Sequence, residues 1–510
     1  MAEGQMQTDA AAAETTEAEG SLLDSILAKV DVQAPTSGDV RIDAFSDADA
    51  IGGQDRGAMM SAALRVFVDA VAKSGDPVAK IDKHLVDGLV ADIDATISKQ
   101  LDKILHSPEV QKLESAWRGL KFLVDRTDFR KNVKIEMLNV SKDTLRESFE
   151  DSPELIQSAL YRHVYTNAYD QPGADPYSAI VSNYEFDASP QDMALLGNVS
   201  KVAASAHAPF LGAVGPQFFG KESMEDWKKI PDLSAYMELA DFTKWNALRD
   251  TEDSRYLGLT FPRYLLRLPY GPDTVPVKTF NYQEEVSGAD HDRYLWGNSS
   301  FAFASNMVRA FQRDGWSVQI RGPQSGGKVD DLPVHLYDVG KGKQAKIPTE
   351  VPISETLEFE AANLGFMPLS HYQGRDFAAF FSANSTQRPK LYDDDAATAN
   401  SRINARLPYI FLASRIAHYL KVLQRENIGA TKDAAKIEGE LNRWLKGLVT
   451  EMENPSQAQV AKYPLKAAEV KVVELDDNPG FFRVQTAIKP HFQIEGMDIS
   501  LSLVGKMPKK

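Results

Sequence analysis

Residues 107–140 read SPEVQKLESAWRGLKFLVDRTDFRKNVKIEMLNV, and the period of their apolar residues changes partway along. Ser107-Pro108-Glu109 is a helix opening: a capping hydroxyl, a proline in the first turn where its missing amide costs nothing, and an acid near the positive end of the helix dipole. Val110, Leu113, Trp117, Leu120 and Val124 then recur at intervals of three and four, the stripe of a helix with one face on a core. From Val133 to Val140 the apolar residues alternate, which is the period of a strand. Helix followed by strand then repeats. Ser152-Pro153-Glu154 is a second opening of the same kind, and Tyr177–Tyr184 (YSAIVSNY) and Pro209–Val214 (PFLGAV) have the composition of buried strands. The two periods interleave to about residue 380, which predicts an α/β (mixed α+β) body.

Upstream, Val78, Ile81, Leu85, Leu89, Ile93, Ile97, Leu101 and Ile104 mark a helix over 77–106, about 45 Å long at ~1.5 Å per residue. So long a helix predicts a partner helix beside its apolar face, on this chain or another. Residues 1–20 are rich in Ala, Glu and Thr with almost nothing to bury, which predicts disorder. Ser21 can cap a short apolar helix over 21–30, suited to docking, and 31–50 has the make-up of a linker.

Downstream, Asn384–Asn400 is polar and carries Asp393-Asp394-Asp395, and a domain boundary is expected there. An amphipathic stretch over Arg402–Arg425, interrupted at Pro408, and a helix beginning near Thr431 follow. Glu469–Leu475 and Phe481–Ile488, separated by Asp476-Asp477-Asn478-Pro479-Gly480, predict a hairpin. Ile499-Ser500-Leu501-Ser502-Leu503-Val504 alternates at the end of the chain. Such a strand is an edge hazard unless it pairs, either in its own sheet or in a neighbour's. The expected domains are an acidic arm 1–50, a helical segment 51–106, a central body 107–383 and a C-terminal domain 384–510.

The chain has 510 residues, enough for about three or four domains. It has no cysteine, which excludes disulfides, thiolate metal sites and a cysteine nucleophile. The net charge of −15 argues against nucleic acid as a partner. Residues 1–50 hold eleven acids and two bases, so −9 of that charge lies there and the body is nearly neutral. No basic and apolar leader opens the chain, and no apolar run approaches the ~20 residues of a membrane span, so a cytoplasmic protein without membrane insertion is expected.

Catalytic and metal patterns are weak. Gly322-Pro323-Gln324-Ser325-Gly326-Gly327-Lys328 fits G-x-x-x-x-G-K after a strand-like Val318–Arg321, and a nucleotide-dependent enzyme built on it is the alternative reading. Position 329 is Val, where magnesium needs a hydroxyl, and Pro333 disfavours the helix that would supply the phosphate cradle. A glycine-rich turn is the better expectation. The nine histidines show no metal-ligand spacing, and no serine-hydrolase elbow is present. No catalytic, metal or cofactor residue is expected. Arg402, Arg406, Arg415, Lys421 and Arg425 suit either a solvated helix face or contact with an acidic partner.

Several stretches together resemble the large sheath subunit of type VI secretion systems, the VipB/TssC family, related to contractile phage-tail sheaths. They are SPEVQKLESAWRGLKFLV (107–124), VAASAHAPFLGAV (202–214), RYLGLTFPRYLLRLPYG (255–271), YLWGNSSFAFA (294–304), GWSVQIRGPQSGGKVDDLP (315–333), PTEVPIS…LGFMPL (348–369) and RLPYIFLASRIAHYLKVLQRENIG (406–429). The resemblance implies a structural protein of contractile-tail-sheath fold. It implies pairing with a small sheath subunit (VipA/TssB-like), self-polymerisation around an Hcp-like inner tube on a membrane-anchored baseplate, and disassembly by a ClpV-like AAA+ unfoldase. On this reading Ile81, Leu85, Leu89, Ile93 and Ile97 face the small subunit. Ile499, Leu501 and Leu503 form an inter-subunit strand, and Arg402 and Arg406 face the inner tube.

Overall fold

A computed structural model describes residues 83–340, 342–429, 432–450, 452, 454–474 and 482–491. The arm 1–50 with its short helix, Ile81, the hairpin turn and the terminal strand with Ile499, Leu501 and Leu503 lie outside the described residues, as do the side chains of Leu85 and Leu89.

The chain divides into two units. In the first, helix α1 (Lys83–Leu105) carries the expected period, and Ser107 caps α2 (Pro108–Asp125), whose residues from Ser115 on belong to the second unit, with the Val110 amide 3.4 Å from its hydroxyl. Ile93, Ile97, Leu101 and Ile104 are half-buried. Among the described residues of this unit, the chain's own loop 268–295 lies beside α1. The Asn281 amide reaches Asp94 at 3.3 Å, the Tyr282 hydroxyl reaches Asp102 at 2.5 Å, and His106 bonds Glu284 at 3.0 Å. Asp94, Asp102 and His106 fall on one face at helical spacing, so the polar side of α1 is an anchoring surface.

The second unit is built on a six-stranded sheet. Its strands are β1 (Ile180–Phe186), β2 (Phe210–Val214), β3 (Leu257–Phe261), β4 (Lys328–Val329), β5 (Phe366–His371) and β6 (Ala378–Phe380), in the order β1-β2-β3-β5-β6-β4. The first four in that order pair in parallel, with Phe210 opposite Leu257 and Leu259 opposite Phe366, and β6 is antiparallel to both β5 and β4. Parallel strands covered on both faces are apolar throughout, which is why FLGAV and LGLTF show no alternation. Helices α3 (Pro190–Ala206) and α4 (Ser299–Asp314) pack against β2 and β3, capped by Ser189 and Asn298. Phe366 stacks on Trp245 at 5.1 Å and meets Phe218, Phe219 and Phe261 edge-on or tilted within 5.8 Å.

The α2 stripe lies differently from its sequence period. Gly119 and Leu123 are its buried residues, whereas Leu113 and Trp117 are 40% and 57% exposed. The cause is the Phe301 ring, which a Cβ at Gly119 would meet at 2.8 Å. Only a bare backbone lets that ring in, so the helix turns its glycine rather than its tryptophan inward. At the second expected opening the Ser152 hydroxyl donates back to the Ser148 carbonyl instead of capping, a short turn over Leu155–Gln157 follows without a side-chain cap, and Ser158 is the residue that caps the next helical turn. VKIEMLNV (133–140), expected as a strand, runs without helix, turn or bend and joins no ladder among the described residues.

Toward the C-terminus, α5 (Asp395–Asn404) and α6 (Leu407–Glu426) break at residues 405–406, with Pro408 in the first turn of α6. Then come α7 (Ala434–Lys446), α8 (Gln457–Lys462) and the antiparallel hairpin β7 (Leu465–Glu474)–β8 (Phe482–Pro490). These elements enclose a second core of Leu412, Ile416, Leu420, Leu441, Leu445, Leu465 and Val470 with Trp316 and Val318, while Leu407, Ile410 and Phe411 of the same α6 belong to the sheet's core. One helix thus serves both cores.

Candidate functional site

Only the Gly322–Lys328 segment carries an enzymatic reading. The Gly322 amide donates to the Phe380 carbonyl at 2.7 Å, the Gly327 amide to the Gly322 carbonyl at 2.8 Å, and the Phe380 amide returns to the Gly327 carbonyl at 2.9 Å. Gly322 and Gly326 have φ of +75° and +96°, and a Cβ at Gly326 would lie 2.0 Å from the Gln319 carbonyl oxygen. The glycines therefore serve a turn that closes on β6, and the chain continues as β4 instead of a helix. Lys328 turns away from the loop: its ammonium pairs with Asp330 and stands 4.3 Å from the centre of the Phe377 ring. Two amides that would hold a phosphate are bonded internally, and no helix N-terminus follows. Lys328→Ala is expected to cost less than ~1 kcal/mol of stability, as for an exposed ion pair. Urea melts check this, and loss of bound nucleotide on that change would restore the enzymatic reading.

Among the described residues no three His, Asp or Glu side chains are placed to hold a metal ion, and no helix is long and apolar enough to cross a membrane.

Two basic residues of α6, Lys421 and Arg425, hold the chain's own 169–171 loop. Lys421 pairs with Asp170 at 3.0 Å and lies 3.6 Å over the Tyr169 ring, and Arg425 donates to the carbonyls of Gln171 and Tyr169 at 2.9 and 3.3 Å. Three residues before Lys421, His418 is buried, its Nε2 donating to the Ala206 carbonyl at 3.0 Å and its Nδ1 without a partner. A cavity of about 30 Å³ opens beside it, lined by Ser414, Trp316 and Phe411. Burial first, then the nearby His207, Arg415 and Lys421, pushes His418 down to about 4. Burial and Arg255 lower His207 as well. The sequence carries no signal for this cluster, because its partners are more than 200 residues apart.

Arg402 is exposed in the last turn of α5, whereas Arg406 is half-buried at the break, where its backbone bridges to Asn384. At the hairpin, α7 closes the outer edge of β7: Asn442 bonds both the amide and the carbonyl of Val470, at 2.9 and 2.7 Å, and Glu438 accepts from the Val472 amide at 2.8 Å. Among the described residues β8 pairs with β7 alone.

The VipB model, described as EvpB/VC_A0108 tail sheath N-terminal domain, matches residues 87–387, and its companion, the tail sheath gpW/gp25-like domain, matches residues 396–507. The type VI secretion system sheath protein TssC1 of Pseudomonas aeruginosa is 42% identical over 427 residues, covering 83% of this chain and 86% of that protein. The anti-feeding prophage baseplate is similar at 11% identity over 73% of this chain and 83% of its own, with a TM-score of 0.37. The contracted anti-feeding prophage sheath is similar at 12% identity over 62% of this chain and 68% of its own, with a TM-score of 0.29. Both structures are too distant to bear on the assignment. The chain belongs to the VipB/TssC family of type VI secretion tail-sheath proteins.

Proposed function

We propose that this chain is the large, non-enzymatic subunit of a contractile sheath. It pairs with a smaller sheath subunit, polymerises in the cytoplasm around an inner tube on a membrane-anchored baseplate, and by contracting drives tube and spike outward. An AAA+ unfoldase then dismantles the contracted polymer. The observation that carries this reading is the 42% identity to a sheath protein across 83% of the chain. The internally closed Gly322–Lys328 turn supports a structural role over nucleotide chemistry. Co-expression with the small subunit tests it: electron microscopy should show hollow cylinders, and a persistently monomeric chain would count against it.

Within that reading, Ile81, Leu85, Leu89, Ile93 and Ile97 face the small subunit. Ile499, Leu501 and Leu503 add a strand to a neighbouring copy, and the open edge of β8 is where main-chain bonds can receive it. Deleting residues 497–510 is expected to abolish cylinders while leaving a soluble pair with the small subunit. Long cylinders from the truncated chain, seen by negative stain, would exclude the strand role. Arg402 and Arg406 face the inner tube. Arg402→Glu is the informative change, since Arg406 is half-buried at the α5–α6 break. It is expected to lower the number of sheaths counted in cells several-fold with the melting midpoint unchanged. An unaltered count would remove Arg402 from that interface.

A further inference from the structure

Helix α6 changes character along one face. Leu407, Phe411, Ser414 and His418 follow at intervals of four, three and four, so all four fall on the same side of the helix. The first two are apolar and belong to the sheet's core, whereas Ser414 and His418 are polar and each only 3% exposed. Burial of a polar group costs stability unless a hydrogen bond replaces the lost solvent. The cavity of about 30 Å³ beside them is walled by Phe411, Trp316 and Phe311, and Ser414, Arg415 and His418 line it too. His418 Nδ1, Arg415 Nε and Ser414 Oγ are buried without a hydrogen-bond partner among the described residues, although the Tyr256 hydroxyl stands near Ser414. The end nitrogens of Arg415 are engaged, Nη1 with Ser178 at 3.5 Å and Nη2 with Tyr419 at 3.3 Å, which fixes the guanidinium while its Nε–H has no acceptor. His418 Nε2 donates to the Ala206 carbonyl at 3.0 Å, so the neutral ring presents a lone pair at Nδ1.

We propose that this cavity is a binding site for a single water molecule, hydrogen-bonded to His418 Nδ1, Arg415 Nε and Ser414 Oγ. The donor set selects the ligand. An occupant must donate a hydrogen bond to Nδ1 and accept one from Arg415 Nε at the same time. An anion accepts but cannot donate. A cation cannot accept and would lie against a guanidinium. Water does both, and the Ser414 hydroxyl takes either role as its third partner. Size agrees, because a buried water needs about 10–15 Å³ and two to four polar partners, and the cavity leaves no room for a polyatomic ligand. The site lies where α6 passes between the two cores, since Phe411 belongs to the sheet's core and Trp316 to the second. Its role is positional: the water completes a polar seam between two apolar cores and holds the His418 ring and the Arg415 side chain from within.

A density map of the full chain, fine enough to show ordered water, is expected to hold one peak about 2.7–3.2 Å from both His418 Nδ1 and Arg415 Nε. In crystals grown with bromide in place of chloride, no anomalous signal should appear at that peak. Ser414→Val puts methyl groups where the water sits and leaves Nδ1 and Nε unsatisfied. It is expected to lose the peak and to lower the melting midpoint by about 2 °C or more. Ser414→Ala leaves room for the water and should keep the peak. A cavity without a peak in the parent chain would overturn the proposal. So would a bromide signal inside it, which would make it an anion site, or a melting midpoint raised by Ser414→Val, as filling a dry cavity raises it.

Discussion

Phe366→Ala is expected to destabilise the second unit by about 3–5 kcal/mol, a large share of the stability a folded domain has to lose. Phe366 is wholly buried on the β5 strand, stacked on Trp245 at 14° and 5.1 Å and surrounded by the rings of Phe218, Phe219 and Phe261. Removing it loses the transfer free energy of the ring and leaves a cavity. Four rigid aromatic neighbours, each held by its own contacts, cannot collapse into that space. Phe359→Ala is the control: that ring is 60% exposed and its loss should cost less than ~0.5 kcal/mol. Urea-denaturation midpoints of the two variants separate the outcomes, and equal shifts would mean that the aromatic cluster is not the stabilising centre.

Stability is also expected to fall as pH drops from about 6.5 toward 4. His418 titrates near 4 in the folded chain and near its ordinary 6.5 when unfolded. Between those values the unfolded chain binds a proton that the folded chain refuses, so acid favours unfolding and the full stability is present only above the upper value. The burden from His418 alone is about 3 kcal/mol at the acid end of that window. Its origin is geometric. The Ala206 carbonyl holds the proton on Nε2, the unpartnered Nδ1 is buried, and Arg415, Lys421 and His207 oppose a second charge. His207 acts in the same direction. Melts of the parent and of His418→Gln at pH 7.5, 5.5 and 4.5 check this. The variant should show a flatter decline even if it starts lower, and parallel declines would refute the assignment to His418.

How far local sequence reaches is visible at particular residues. Capping chemistry acts within one turn, so Ser107 places a helix start, and Pro408 an interruption, without knowledge of the fold. Parallel buried strands announce themselves by unbroken apolar runs such as FLGAV. The turn at Gly322–Lys328 could be separated from a phosphate loop through Val329 and Pro333 alone. Which stripe of α2 is buried was not legible. The answer depends on Phe301 approaching Gly119 across more than 180 residues of chain, and the apolar period was satisfied equally well by Leu113 and Trp117. Alternation at 133–140 predicted a strand, and alternation is a property of one segment, whereas a ladder needs a second backbone.

The residues by themselves determined the α/β class, the helix start at Ser107, the buried strands, the C-terminal hairpin and the resemblance to sheath subunits, since each rests on local periods or on ordered motifs. Only the tertiary structure decided that α1 is anchored through Asp94 and Asp102, that α6 serves two cores, and that its lysine and arginine side chains bind the chain's own 169–171 loop. It alone also brought His418 to the Ala206 carbonyl and left 133–140 without a ladder. Those outcomes depend on contacts between residues far apart in the chain. Their energy comes from burial and hydrogen bonding across the fold, which no local period encodes.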